Sequence, residues 1–312
     1  MHVHGKATDL AYLALVVDEP EASATRLEID FGLPRRSLRC GGSTIPVISV
    51  GATALALFGR GDPFLGANPQ KGVHHLALAA AHPEAAARAC GLPLAGDISQ
   101  GLDGRAQIAL APAATCGMRV RFTEPLGLPP ARSDLVERID HVGVASVDNR
   151  QARATFIEKL GCVYESEQTD SEVETISENF TSDTHQYIFH SRPSRLLGSM
   201  RVTFITVGDC ELELLQDLTT GVKVDAARHD AAGDTRADRS AIARHITSRG
   251  AGLHHIAFKT PDIDAALGRL TRAGYRMIDT TGRPGSRRAR IGFLHPAALG
   301  GVLVHLVERE AL

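Results

Sequence analysis

The chain has 312 residues, 43% hydrophobic and 22% charged, which is enough apolar material for two ordinary domains or one large one. Thirty-four Lys plus Arg against 36 Asp plus Glu leave a formal charge of −2, aromatics are 4% and Trp is absent. That balance offers neither a basic field for a phosphate backbone nor a base-stacking platform, so nucleic acid is not the expected partner.

One unit recurs four times: a short apolar strand, a helix led by Pro or Asp and closed by Gly, then about three strands. The first copy starts DLAYLALVVDEPEASATRLEIDFGL at Asp9 and continues through TIPVISVGATALALF. The second starts GVHHLALAAAHPEAAARACGL at Gly72, with room for barely two helical turns, and continues through GRAQIALAP. Residues 127–137, GLPPARSDLVE, carry a Pro pair and predict an interdomain linker.

The third copy starts RIDHVGVASVDNRQARATFIEKLG at Arg138. Ala152, Phe156, Ile157 and Leu160 recur at helical spacing and Gly161 closes that helix. Its middle, residues 165–200, is longer than in the other copies, and it ends in MRVTFITVGDCELELL. Residues 219–240 hold few large apolar side chains and predict a mobile excursion, followed by a short helix in SAIARHITSRGAG. The fourth copy starts GLHHIAFKTPDIDAALGRLTRAG at Gly252. Here Thr260 is the expected cap, Pro261 the first-turn residue, Ile263, Ala266, Leu267 and Leu270 the buried stripe, and Gly274 the left-handed closing residue. The expected fold class is α+β: four βαβββ modules paired into two tandem domains, 1–126 and 138–312.

Localisation follows from exclusions. No apolar run approaches the roughly 20 residues of a bilayer span, and the opening MHVHGKATDL lacks a signal-peptide pattern. Five scattered cysteines (Cys40, Cys90, Cys116, Cys162, Cys210) form no C-x-x-C pair. The expectation is a cytoplasmic protein with reduced thiols and no membrane partner.

The candidate chemistry lies in the second half. His141 in IDHVG and His255 in LHHIAF hold equivalent places, as do Glu213 in LELLQ and His305 in VLVHLV. Each is polar among apolar neighbours on a strand, where side chains alternate between faces, so two units paired around one cleft bring all four together. Imidazoles and a carboxylate converging from rigid strands suit one first-row divalent ion with positions left for a substrate oxygen. Such an ion polarises a carbonyl and eases removal of the α-proton. In the first half the same positions are Tyr12, Ala56, His75 and Arg121, so that half is expected to hold no metal.

The four units resemble the vicinal oxygen chelate superfamily, which includes glyoxalase I, extradiol dioxygenases, resistance proteins and methylmalonyl-CoA epimerases. From Ser240 to Glu308 the wording is similar to methylmalonyl-CoA epimerases, and IDHVGVA with LELLQ fits that pattern too. The resemblance implies two tandem domains of this superfamily: a degenerate one at 1–126 without a metal site and a metal-binding one at 138–312. It implies His141, Glu213 and His255 as metal ligands. The family's fourth position, a Glu in the last strand, is His305 here, which leaves ligand, catalytic base and neither open for it. Glu213 and His305 are the proton-handling candidates, since carboxylates around the metal are implicated in proton shuttling in this family.

The expected cofactor is one divalent ion (Co, Ni, Zn, Mn or Fe). The expected partner is a small-molecule carbonyl substrate, a coenzyme A or carrier-protein thioester among the candidates, and exposed sheet edges permit a homodimer. The leading function is a metal-dependent epimerase or isomerase that moves the α-proton of that carbonyl compound through a metal-chelated enolate. The alternatives are a non-haem Fe(II) dioxygenase of the extradiol or hydroxyphenylpyruvate type, which the two-half layout favours, and a metal-free small-molecule-binding protein of the resistance type. Outside the four positions, His254 is expected to face away and His75 to pack. Arg283, Arg287, Arg288 and Arg290 form a solvated turn or meet phosphates, and His295 serves a turn or lines the cleft.

Overall fold

A computed structural model of the protein describes residues 9–184, 186–219 and 240–309. The expected polar excursion falls almost wholly on 220–239, outside the described residues.

The first unit consists of β1 (Leu10–Val17), α1 (Pro20–Ile29), β2 (Arg35–Cys40), β3 (Ser43–Val50) and β4 (Thr53–Gly59). The second consists of β5 (Gly72–Ala79), α2 (Pro83–Cys90), β6 (Ser99–Gln100), β7 (Ala106–Ala109) and β8 (Val120–Thr123). The third runs β9 (Arg138–Ala145), α3 (Asn149–Ala154), β10 (Val163–Glu174), β11 (Ser177–Ser182), β12 (Gln186–Ser191), β13 (Arg195–Val207) and β14 (Cys210–Asp217). After α4 (Ser240–Arg249), the fourth runs β15 (Gly252–Lys259), α5 (Ile263–Arg272), β16 (Arg283–Pro284), β17 (Arg290–Leu294) and β18 (Val304–Glu308).

Two curled eight-stranded sheets result, ordered β2-β3-β4-β1-β5-β8-β7-β6 and β10-β13-β14-β9-β15-β18-β17-β16. In each, the first strands of two units pair antiparallel at the centre, and the last strand of every unit lies parallel beside its first. The four βαβββ modules therefore form two tandem half-barrels, as the repeats predict. Strands β1 and β9 are buried almost throughout, because helices cover the convex face and side chains fill the concave one.

Local details depart from the sequence expectation in places. Helix α5 is capped by Asp262, whose carboxylate accepts from the Ala265 N–H at 2.9 Å, not by Thr260; Pro261 therefore precedes the cap. Its stripe of Ile263, Ala266, Leu267 and Leu270 is buried as expected, each large member contributing roughly 1.5–3 kcal/mol. Helix α3 continues into a π-helical turn, Thr155–Lys159, and the buried residues Ala152, Phe156 and Leu160 follow one another every fourth position. The long middle of the third unit is an arm: β10 and β13 run on past their neighbours and lead to β11 and β12, which form a separate two-stranded sheet. No helix among the described residues is long and apolar enough to cross a membrane.

The largest hydrophobic core cluster runs through both halves. Phe31 sets its ring against Phe258 and Tyr275, each at 5.8 Å, and Tyr275 donates to Asp30 at 2.8 Å. Segment 127–137 is laid along this seam: Ala131 bridges to Gly51, Ser133 donates to the Phe31 carbonyl at 2.6 Å, and Leu135 and Val136 are buried. The concave faces differ. That of the first half is packed with Tyr12, Val16, Val47, Phe58 and Leu65, whereas that of the second holds polar side chains at its centre.

Candidate metal centre

The polar side chains of the second concave face come from its four inner strands. Gly143 on β9 lies opposite Glu213 on β14 and His255 on β15, while Ala257 on β15 lies opposite His141 on β9 and His305 on β18. The two-residue period then sends all four groups to one face. One ligand nitrogen each from His141, His255 and His305 falls within 4.8 Å of the others, all three residues being buried. Nε2 of His141 and His305 are 3.1 Å apart, and Glu213 Oε2 is 3.2 Å from His141 Nε2 and 3.6 Å from His255 Nε2.

Gly143 makes room for this cluster. A Cβ at that position would fall inside the His255 imidazole, so only glycine lets the ring lie across β9. Asp140, fully buried on the same strand, accepts from His141 Nδ1 at 2.8 Å and from the Arg309 guanidinium at 2.8 Å. With Nδ1 engaged, Nε2 is the His141 atom directed at the cluster. His255 has His254 as its neighbour, with the two Nδ1 atoms 2.9 Å apart.

The electrostatics divide the groups. Burial alone would push the His141 imidazole down, but the Glu213 and Asp140 carboxylates beside it raise it to about 9. Burial also works against the Glu213 carboxylate, yet His141 and then His255 hold it well below the usual range. His255 is lowered by burial with Glu213 opposing. His305 lies well below the ordinary imidazole range, through burial first and then its neighbours His255 and His141. Glu213 is thus an anion and His305 a neutral ring at neutral pH.

The donor set fits a metal ion. Nε2 of His255 is buried with no hydrogen-bond partner, as is Nδ1 of His305. Three imidazole nitrogens within 4.8 Å of one another, with the Glu213 carboxylate 3.2 Å from His141 and 3.6 Å from His255, supply the nitrogen and oxygen donors that a single borderline divalent cation takes.

Aromatic walls enclose the cluster. Phe293 packs on His305 with ring centres 4.4 Å apart, and Phe204 lies 6.3 Å from His141. The arginine hairpin contributes here, although not as a solvated turn: Arg287 sits 3.6 Å above Phe204 and pairs with Glu165 and Glu211. Arg283 pairs with Asp279 and Arg290 with Asp264, while Arg288 is exposed. His295 caps a short turn, accepting from the Ala297 N–H. Asp140, Gly143, Phe204, Phe293 and Arg309 were not singled out from the sequence. Two of them left a signal there: a carboxylate directly before His141 and a glycine inside an apolar strand.

In the first half Ala14 lies opposite both Ala56 and His75, and Ala77 lies opposite both Tyr12 and Arg121. The strand register therefore makes Tyr12, Ala56, His75 and Arg121 the counterparts of His141, Glu213, His255 and His305. The Tyr12 hydroxyl meets His75 Nε2 at 3.3 Å, and Arg121 lies over the Phe64 ring at 4.5 Å.

Residues 140–293 match the Glyoxalase/Bleomycin resistance protein/Dioxygenase superfamily. Protein YqjC of Bacillus subtilis is 26% identical over 173 residues, covering 55% of this chain and 93% of that protein. The ethylmalonyl-CoA/methylmalonyl-CoA epimerase of Cereibacter sphaeroides is 27% identical over 177 residues, 56% of this chain and 99% of the epimerase. Over 98% of this chain and 94% of the other, the fold is similar to a mutant of 4-hydroxymandelate synthase from Streptomyces coelicolor, with a TM-score of 0.62 at 15% identity. The fold of four βαβββ modules in two tandem halves expected from the repeats is thereby shown for the whole chain, and the superfamily resemblance for residues 140–293.

Proposed function

Because residues 140–293 belong to the glyoxalase/bleomycin resistance/dioxygenase superfamily, we propose that the chain is a metal-dependent epimerase or isomerase acting on a carbonyl compound, with an acyl thioester as the substrate class. The observation that carries this reading is the cluster of His141, Glu213, His255 and His305 within a half that aligns with almost the full length of an acyl-CoA epimerase. In this reading residues 138–312 form the metal-binding domain, 127–137 the linker and 1–126 a scaffold domain without an ion.

His141, Glu213, His255 and His305 hold the ion, and Asp140 keeps the His141 ring in place. When bound, a divalent cation supplies Lewis-acid polarisation of the substrate carbonyl and offsets the negative charge that grows on its oxygen. Glu213 and His305 are the proton-handling candidates: the carboxylate stays ionised beside His141, and the His305 ring is neutral. Phe204 and Phe293 keep bulk water from the reacting carbon, which strengthens both effects.

Two measurements test the proposal together. Metal content of the purified protein is expected at one ion per chain and lost in His255→Ala. Incubation with methylmalonyl-CoA and related thioesters in deuterated water is expected to exchange the α-hydrogen, and Glu213→Gln to abolish that exchange. A protein with neither bound metal nor exchange refutes it. The His141–Glu213–His255 subset also has the composition of the two-histidine, one-carboxylate triad of Fe(II) oxygenases. Oxygen uptake with Fe(II) and a catechol or 2-oxo acid, without α-exchange, would replace the isomerase reading by the oxygenase one.

A further inference from the structure

Away from the four-residue cluster, the seam between the halves opens into a cavity of about 370 Å³ near the starts of β5 and β15. Lys71, His74 and Arg119 line it from the first half, and His245, Arg249 and His254 from the second. No Asp or Glu is among its lining residues. Its floor is a close meeting of two backbones: Gly117 has φ +87°, and a Cβ there would collide with the Ala251 carbonyl.

The cations here are incompletely balanced. Lys71 pairs with Asp18 at 2.9 Å, whereas among the described residues the Arg249 guanidinium donates only to the Lys71 carbonyl, also at 2.9 Å. The Arg119 guanidinium makes no hydrogen bond or ion pair among the described residues. Their field reaches the imidazoles: burial first, then Arg119 and Arg121, pushes His74 down to about 3, and burial with Arg249 pushes His245 down to about 4. The cavity thus combines two guanidiniums, which grip phosphate oxygens in pairs, with neutral rings that donate, accept and stack. At about 30 Å³ per water it has the capacity of roughly a dozen waters, far more than one phosphate group fills.

We propose that this cavity binds a phosphorylated small molecule, with Arg119 and Arg249 on its phosphate and its organic part among His74, His245 and His254. The site adjoins the proposed metal centre through His254, whose Nδ1 is 2.9 Å from that of His255, but its two arginines lie outside that centre.

Calorimetric titration of the full chain with inorganic pyrophosphate and with adenosine monophosphate tests the assignment. Saturable binding of the nucleotide at one site per chain is expected, weakened about tenfold or more by Arg119→Gln and by Arg249→Gln. Both arginines are exposed, so the melting temperatures of these variants should match the parent, which separates lost binding from lost folding. Arg290→Gln, which removes an equal charge elsewhere, is the control and should leave binding unchanged. No saturable binding of the nucleotide, binding of pyrophosphate alone, or equal weakening by all three substitutions would overturn the proposal.

Discussion

Gly143→Ala adds one methyl group and should disable the proposed metal centre without touching a ligand. The new Cβ falls inside the His255 ring, so the imidazole must leave its place across β9. If four ligands share the roughly 10–16 kcal/mol typical of a structural zinc site, one is worth about 3 kcal/mol, or about a hundredfold in affinity. Titration with Zn(II) or Co(II) against a competing chelator is expected to show that loss. Thermal melting supplies an independent readout. At a metal concentration about 100 times the parent's Kd, binding adds about 2.7 kcal/mol of stability, or about 4 °C for a chain of this length. The variant should forfeit most of that shift, on top of an overpacking cost of about 1–3 kcal/mol in the metal-free protein. An unchanged metal affinity, with the full metal-dependent shift retained, would refute the claim that His255 needs the space above Gly143.

Asp140→Asn leaves every proposed ligand in place but removes the charge that fixes His141, so metal affinity should fall about 10–100-fold in the same titration; an unaltered affinity refutes the bracing role. Phe31→Ala removes a ring that packs on Phe258 and Tyr275 in the other half and should cost about 3–5 kcal/mol. Calorimetry should still show one transition, shifted down, whereas two separated transitions would show that the halves do not share a cooperative core. His74 is held to about 3 in the folded state against roughly 6.5 when unfolded, so acid favours the unfolded chain, which takes up the proton first. Its contribution is whole above pH 6.5 and fades by up to about 1.4 kcal/mol per pH unit towards pH 3; His74→Gln should flatten the melting temperature between pH 6 and 4, and an unchanged slope refutes it.

The architecture was legible because the duplication is written in strand–helix openings that survive even where side chains differ. Strand ends carrying a lone polar residue among apolar ones, such as Glu213 and His305, also betrayed which positions share the concave face. What escaped was set by atoms that no repeat encodes. Asp262 displaced Thr260 as a cap because the helix begins two residues later than the Pro suggests. The arginine hairpin looked like a solvated turn because its partners, Glu165 and Glu211, lie on β10 and β14, far away in sequence. Gly143 could be noticed only as a glycine in a strand; that its missing Cβ is the space of an imidazole needs coordinates.

The same glycine explains why one half is expected to hold an ion and the other not. Ala14 is the counterpart of Gly143, and its Cβ occupies the level at which the His255 ring crosses the sheet in the second half. His75, though an imidazole at the equivalent position, instead lies between His74 and the Tyr12 hydroxyl. Once that ring is turned aside, the remaining positions are free to serve packing: Ala56 is small enough to sit under the apolar filling of the concave face, and Arg121 satisfies itself on Phe64 and Gln107. The difference between the proposed scaffold half and the proposed metal-binding half therefore lies less in the tally of ligand-type residues than in whether the central strand leaves a gap for a ring to cross it.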